Sequence, residues 1–284
     1  MRLALTSVAA ALLLCGLCAQ AAAAPAADQE AHADRGPQGK HQMLLGTWTR
    51  ARDPGAFERM RAVTAKLLNI TNDFGQTRAS PIIIIDTPPP LKPQYLSKWV
   101  DFVRRSHQAD LRGQPLATGY SHCLPDGMPS MMMGMFPMEV LQAPGDITII
   151  EEAYRQIRHI YLNQKQIAPI TDAEPEFWGH SVGHWEGDTL MVNTIGIKDY
   201  VRLEDVPHSD RMQINEQIKL LSPDRFQDAI TVIDPVYLTK PWSFVWTYKR
   251  DPGYKILEYV CEDNREDSAS DQQRLKLFQS PAQQ

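Results

Sequence analysis

The stretch GHSVGHWEGDTLMVNT, from Gly179 to Thr194, decides the fold class. On both sides of its Glu-Gly-Asp tripeptide, successive side chains alternate in character, which is typical of a strand with two different faces. Gly187 suits the positive-φ position of a tight turn, and Asp188 can hydrogen-bond the turn backbone. The stretch therefore predicts a β-hairpin that turns at Glu186 to Asp188.

The same pattern predicts more strands from residue 139 onward. MQINEQIKLLSPDRFQDAITVID is expected to turn at Ser-Pro-Asp, and WSFVWTYKRDPGYKILEYVCED at Asp-Pro-Gly, while EVLQAPGDITIIEEAYRQIRHIYLNQK adds strands with short connections. Two strands per hairpin give about eight strands. Because closure removes exposed sheet edges, we expect a mainly β fold, an antiparallel meander closing into a roughly eight-stranded barrel that holds one small ligand. The alternative is a β-sandwich of two sheets.

An N-terminal helical segment is expected before this barrel. MLLGTWTR at residues 43–50 predicts a short strand, and AFERMRAVTAKLLNI and QYLSKWVDFVRRSHQADL carry apolar side chains at helical spacing. PIIIIDTPPPLKP predicts a buried strand and a proline-stiffened connector. The predicted regions are a strand, helix and methionine-rich loop at 43–138, the barrel at 139–270 and a flexible tail at 271–284.

The N-terminus predicts export. Arg2, an apolar run and then small residues before position 25 are typical of a signal peptide over residues 1–24, and the polar residues 25–42 predict a disordered linker. No other stretch predicts a membrane span, so we expect no stable membrane insertion after cleavage. The chain has 34 acidic and 29 basic residues and a net charge of −5, which argues against nucleic-acid binding. The expected location is the periplasm or the exterior.

Removal of the signal peptide leaves two cysteines, Cys123 and Cys261. In an oxidising compartment such a pair can form a disulfide between the middle and the end of the chain. Two buried thiols are the other interpretation, since free cysteine is commonly buried.

The histidines of the opening stretch are the main candidates for chemistry. On a strand, His180 and His184 share a face but lie roughly 13 Å apart, so they chelate one metal only if the strand bends or His208 contributes. Imidazole titrates near neutral pH and serves as a general acid or base, whereas the alternative is a core histidine bonded to a backbone carbonyl. We expect His180 and His184 to face the barrel interior and to act with Glu186 and His208.

Ligand contacts are expected from aromatic and methionine side chains. Methionines cluster between residues 128 and 138, where thioethers can form an adaptable apolar wall. The expected ligand-binding residues are Trp48, Met133, Met138, Tyr161, Trp185 and Tyr200. No phosphate loop, dinucleotide fingerprint or nucleophile elbow is present in the sequence, so no organic cofactor is expected, and a divalent metal is the alternative.

Several short blocks in one order carry a resemblance. CLPDGMPSMM, PMEVLQAPG, RHIYLN, GHSVGHWEGDTLMVNT, PHSD, TKPW and LEYVCEDNRE together resemble a family of exported bacterial proteins, over roughly residues 85–265. Gly46-Thr47-Trp48 resembles the Gly-x-Trp start of lipocalins. Barrels of that calycin type include cofactor-free phenolic acid decarboxylases and carriers of hydrophobic molecules.

The resemblance and the acid–base residues together give three expectations of function. The leading one is an exported, cofactor-independent enzyme of lyase or isomerase type, decarboxylase-like, acting on a small aromatic or hydrophobic compound. The second is a non-catalytic binding protein for a hydrophobic ligand. The third is a metal-dependent enzyme with histidine ligands.

Overall fold

The chain forms a closed β-barrel of nine strands. The computed structural model describes residues 44–68 without 52 and 54, 87–114, 116, 122–133, 136–166, 174–201 and 203–261. The strands are β1 (Gly46–Arg50), β2 (Met138–Ala143), β3 (Asp146–Glu151), β4 (Gln156–Leu162), β5 (His180–Glu186), β6 (Thr189–Ile195), β7 (Gln213–Ser222), β8 (Arg225–Ile233) and β9 (Trp242–Arg250).

Each strand pairs with the next, and β1 pairs with β9 to close the barrel. All neighbours are antiparallel except β4 and β5, which are parallel. The connection between those two strands, residues 163–179, is long enough to return the chain to the end from which β4 starts.

The structure confirms a mainly β barrel and corrects four details of its prediction. The barrel has nine strands rather than eight, and the β4–β5 pair interrupts the antiparallel meander. The third hairpin is wrong, because residues 254–261 form no strand after the turn at 252–253. The free edge of β9 is taken by β1, which lies outside the predicted barrel region 139–270. A closed barrel also excludes the two-sheet sandwich.

Two helices precede β2, as their periodicity predicted. Helix α1 spans Ala56–Leu68 and α2 spans Pro93–Leu111. On α2, Trp99 and Val103 are buried, and the Tyr95 ring lies 4.3 Å from that of Tyr237 in the β8–β9 connection. None of the helices in the described residues combines the length and apolar character needed to cross a bilayer. The predicted signal peptide, linker, residue 81–86 strand and tail lie outside the described residues.

The barrel interior is filled with side chains. Trp48 and Phe226 meet edge to face with ring centres 4.7 Å apart, and Phe226 stacks on Tyr248 at 4.3 Å. A cavity beside them, lined by apolar side chains that include Met132 and Ile160, has a volume of about 10 Å³. That volume is scarcely enough for one water molecule, so this part of the barrel is a packed core.

Candidate acid-base site at one end of the barrel

The histidines of β5 lie on the outer face of the barrel, contrary to expectation. Ser181 and Gly183 are the buried residues of this strand, while the His184 side chain is 56% exposed. The His180 ring is only half-buried, and its Nε2 lies 3.1 Å from the carbonyl oxygen of Glu174. The inward face is occupied by small residues because Arg158 of the neighbouring strand fills the space beside them.

The predicted four-residue set is also divided between the two ends of the barrel. His184 Nε2 lies 3.0 Å from Glu186 Oε1 in an exposed pair beside the β5–β6 turn. His208 belongs to the β6–β7 connection, which lies at the opposite end, where β6 finishes. Within the described residues, no three His, Cys, Asp or Glu side chains are placed to hold a metal ion.

The expected ligand-binding residues do not form one site either. Tyr161 and Tyr200 are exposed, and Trp185 is half-buried. Trp48 and Met138 are fully buried, and the Trp48 Nε1 group donates to the Leu44 carbonyl at 2.7 Å. Trp48, Met138 and the buried Met133 belong to the hydrophobic core, and Trp185 packs against it, so these side chains serve packing.

His208 lines a small apolar cavity. The cavity has a volume of about 20 Å³, and most of its lining is aliphatic or aromatic, including Val201, Met212 and Trp242. His208 Nε2 lies 2.7 Å from the Val201 carbonyl oxygen, and Nδ1 lies 3.0 Å from that of Ser209. Asp234, also in the lining, accepts hydrogen bonds from the backbone N–H groups of residues 209, 236 and 237. Both polar side chains are therefore engaged within the protein.

We call this end of the barrel the loop end. The β3–β4, β6–β7 and β8–β9 connections lie there, and a methionine-rich segment, residues 122–133, enters the barrel from it. Met131 and Met132 of this segment are fully buried. Gly127 has φ +66°, and a Cβ there would lie 2.6 Å from Val201 Cγ1, so only glycine fits between the segment and the cavity wall.

Two carboxyl groups meet at the loop end, joined by one amide. Gln156 Nε2 donates to Glu151 Oε2 at 2.6 Å, and the same amide hydrogen-bonds the Asp126 carboxyl. Gln156 Oε1 in turn accepts from the Gly127 N–H at 2.9 Å and from Trp178 Nε1 at 3.3 Å. The amide thus fixes both carboxyls in one network that connects β3, β4 and the methionine-rich segment.

Burial raises the pKa of both carboxyl groups above that of an exposed carboxyl group. Burial and the charge of Asp126 raise the pKa of Glu151 to about 10. Burial also raises the pKa of Asp126 to about 6, against the opposing effect of the Gln156 hydrogen bond. Asp126 Oδ1 is buried with no hydrogen-bond partner among the described residues. At neutral pH the pair therefore holds one proton on Glu151 and one charge on Asp126.

The backbone around this pair is held in unusual conformations. Tyr154 and Arg155, in the connection between β3 and β4, have φ +54° and +50°, and Cys123 has φ +57°. Left-handed backbone costs non-glycine residues energy and is concentrated at functional sites. Burial, and then a hydrogen bond with Tyr259, raises the pKa of the Tyr154 hydroxyl. The phenol therefore stays protonated beside the carboxyls.

Cys123 and Cys261 form a disulfide at the same end, with Cα atoms 5.6 Å apart. The bond attaches the C-terminal part of the described chain to the methionine-rich segment three residues before Asp126. The sequence left this pairing open, and the structure joins the two cysteines.

A second buried charge cluster lies deeper in the barrel. Arg158 donates to Glu216 through Nη1 at 2.9 Å and through Nη2, while Nε donates to Ser181 Oγ at 3.1 Å. Asp228 is fully buried, and burial together with the Glu216 charge raises its pKa well above its usual range. All three side chains are sealed from solvent, so this cluster contributes to the core.

The carboxyl pair was missed because its members are distant in sequence. One signal could have found Glu151: it has the same strand parity as the buried Ile147 and Ile149, which places it on the inward face of β3. No comparable periodicity marks Asp126, which lies in a loop.

Comparison of the chain with protein-family models finds no match. A comparison with curated proteins finds none either.

Proposed function

We propose that the chain is an exported enzyme that performs acid–base chemistry of lyase or isomerase type without an organic cofactor. The observation that supports this is the Asp126–Gln156–Glu151 network at the loop end. Proton transfer needs one group that accepts a proton near working pH and another that holds one. Asp126 suits the base, since it is ionised above its pKa of about 6, and Glu151 suits the acid.

The substrate we propose is a small hydrophobic or aromatic compound. Pro129 and Val201 line the cavity beside His208, and Gly127 packs directly against Val201, so one loop connects the cavity to the carboxyl pair. The cavity of about 20 Å³ holds about one water molecule, so binding would displace side chains. Met212 in its lining is flexible enough to move.

This proposal assigns the acid–base role to the carboxyl pair rather than to His180, His184 and Glu186. His184 is exposed and His180 is half-buried on the outer barrel face, and neither lines the two cavities described above. A decarboxylase-like reaction and kinship with calycin barrels remain parts of the proposal that rest on the sequence.

Turnover by matched variants tests the proposal. Mature protein is incubated with a panel of small aromatic acids, and products are detected by mass spectrometry. Asp126→Asn and Glu151→Gln should each lower the rate at least about 100-fold, because each removes one proton-transfer group. Glu139→Gln, a half-buried glutamate on the outer face of β2, should leave the rate unchanged. Full turnover by Asp126→Asn would rule out this acid–base pair.

A non-catalytic binding protein for a hydrophobic ligand is the second candidate. The observation that favours it is that His208 and Asp234 already bond within the protein, which leaves the cavity an apolar surface. This function predicts stoichiometric binding of a naphthalene-type fluorescent probe without any product. Val206→Phe, which fills the cavity, should abolish probe binding while the outer-face variant Val245→Phe should not.

Export to the periplasm or the exterior completes the proposal. The Cys123–Cys261 disulfide supports it, since such bonds persist in oxidising compartments. Cell fractionation and N-terminal sequencing should find mature protein that begins near residue 25. Metal analysis of purified protein, with and without His208→Ala, tests the third expectation: bound metal lost in the variant would favour a metal enzyme.

A further inference from the structure

The residues after β9 form a strap along the barrel wall. We call residues 251–261 the C-terminal strap. The Asp251 N–H donates to the Thr47 carbonyl at 2.9 Å, and Thr47 Oγ1 donates to the Tyr254 carbonyl at 3.3 Å. The strap then reaches the loop end, where Cys261 is bonded to Cys123. It therefore runs across β1 from the far end of the barrel to the loop end.

At the loop end the strap contacts the connection that follows Glu151. Glu152 accepts hydrogen bonds from the Tyr254 hydroxyl at 2.5 Å and from the Leu257 N–H at 2.9 Å. Arg155 pairs with Glu258 at 2.9 Å. The strap is thus anchored on residues 152–155 on one side and on Cys123 on the other. Glu151 directly precedes the first anchor, and Asp126 follows Cys123 by three residues.

The ring of Tyr259 completes this contact. It lies 5.1 Å from the Tyr154 ring and 5.8 Å from that of Phe136, measured between centres. Tyr154 and Tyr259 are also hydrogen-bonded to each other. The strap thereby contributes a second phenol against Tyr154, and Tyr154 is close enough to Asp126 and Glu151 for their charges to raise its pKa.

The non-covalent attachment of the strap is weak. Leu257 is 60% exposed and Val260 is 71% exposed, and Tyr254, Ile256 and Tyr259 are half-buried, so none of the strap's large apolar side chains is fully buried. The Arg155–Glu258 pair is also exposed, and such pairs contribute little. The Cys123–Cys261 bond is a covalent link between the strap end and the methionine-rich segment, so its reduction leaves the strap end held by these non-covalent contacts.

We propose that the C-terminal strap is a redox-released cover over the Asp126–Glu151 pair. In the oxidised protein the Cys123–Cys261 bond holds Tyr259 against Tyr154. A dithiol reductant supplies two electrons and two protons, the S–S bond breaks to give two thiols, and the reductant becomes a disulfide. The strap end then leaves the loop end and exposes the pair. The importance of that exposure rests on the proposed function, whereas the release does not.

Hydrogen exchange of the full mature protein tests the release. The oxidised protein, the protein reduced with dithiothreitol and the Cys123→Ser/Cys261→Ser variant are compared by mass spectrometry. Peptides covering the strap should exchange at least about tenfold faster without the disulfide, and Glu151 should become labelled by a water-soluble carbodiimide. Peptides from β7 and β8 should keep their protection. The Lys249→Gln variant, altered on an outer-face residue, should match the oxidised protein.

Two results would overturn the proposal. In the first, strap exchange is unchanged by reduction, which means that the non-covalent contacts suffice. In the second, β7 and β8 lose protection together with the strap, which means that the bond stabilises the whole barrel. No substrate is used, so this outcome is independent of the turnover assay that tests the acid–base function.

Discussion

Replacement of Glu151 by glutamine should make the protein more stable at neutral pH. Glu151 is 1% exposed and accepts a hydrogen bond from Gln156. A glutamine there has nearly the same shape and can still accept that hydrogen bond through its carbonyl oxygen. The glutamine amide does not titrate. The difference in the free energy of unfolding between wild type and Glu151→Gln therefore measures the free energy needed to keep the Glu151 carboxyl protonated.

The magnitude follows from the pKa of Glu151 in the two states. The ordinary value is 4.5, and the folded value is about 10. Below pH 4.5 the group is protonated in both states, and its stabilising effect is fully present. As the pH rises above that value, the unfolded chain ionises while the folded protein keeps the proton. The free energy of unfolding then falls by about 1.4 kcal/mol per pH unit, which gives a loss of about 3 kcal/mol at pH 7.

Urea denaturation of the oxidised protein between pH 4 and pH 8 measures this effect. Glu151→Gln should match the wild type at pH 4 and exceed it by about 3 kcal/mol at pH 7. The outer-face variant Glu139→Gln is the matched control and should follow the wild type throughout. A difference between Glu151→Gln and wild type that does not grow with pH would refute the assignment of a bound proton. If Glu151→Gln is more stable than the wild type and also has lower turnover, Glu151 lowers stability and is retained for activity.

The remaining predictions concern the core and the outer face. Arg158→Met should lower the free energy of unfolding by about 3–5 kcal/mol, because it leaves the Glu216 carboxylate buried without its partner, and calorimetry at neutral pH measures this. Gly127→Ala should cost about 2 kcal/mol or more, since its left-handed backbone and Val201 leave no space for a Cβ, and thermal unfolding checks it. Asp228→Asn should reduce the fall in stability above pH 4. The pKa of Asp228 is raised in the folded protein, so the folded state keeps a proton that the unfolded chain releases, and the free energy of unfolding falls as the pH increases. Urea denaturation at several pH values measures how steeply it falls in the variant and in the wild type. His184→Gln should change the free energy of unfolding by less than about 0.5 kcal/mol and leave turnover unaffected. Melting curves and kinetic assays measure the two quantities, and a large loss of turnover would show that the ring is catalytic.

Local turn chemistry made most of the barrel predictable. Gly187 and Pro223 mark two hairpin turns that the structure contains, and alternation identified the strands beside them. The closing pair was not predictable in this way, because β1 and β9 are far apart in sequence. Asp-Pro-Gly at 251–253 does form a turn, but the chain beyond it finds the edge of β9 already occupied.

The orientation of β5 shows a limit of pattern alone. Alternation separates His180 and His184 from Ser181 and Gly183, but both sets are mixed in polarity. Which set of β5 side chains faces the barrel interior depends on the neighbouring strand β4. Arg158 of β4 donates to Ser181, and a Cβ at Gly183 would lie 2.9 Å from Ile160 Cγ2. Small residues face inward because large ones on β4 occupy the volume. No feature within residues 179–194 carries that information.

Barrel closure by β1 affects how the protein is made. Residues 46–50 are synthesised before every other strand of the barrel. Their partner on one side, residues 242–250, is synthesised almost two hundred positions later. Until then the backbone groups of that edge, and those of β8, stay open to other chains. Folding of this protein therefore requires that β1, the earliest strand of the described residues, be protected from aggregation until β9 arrives.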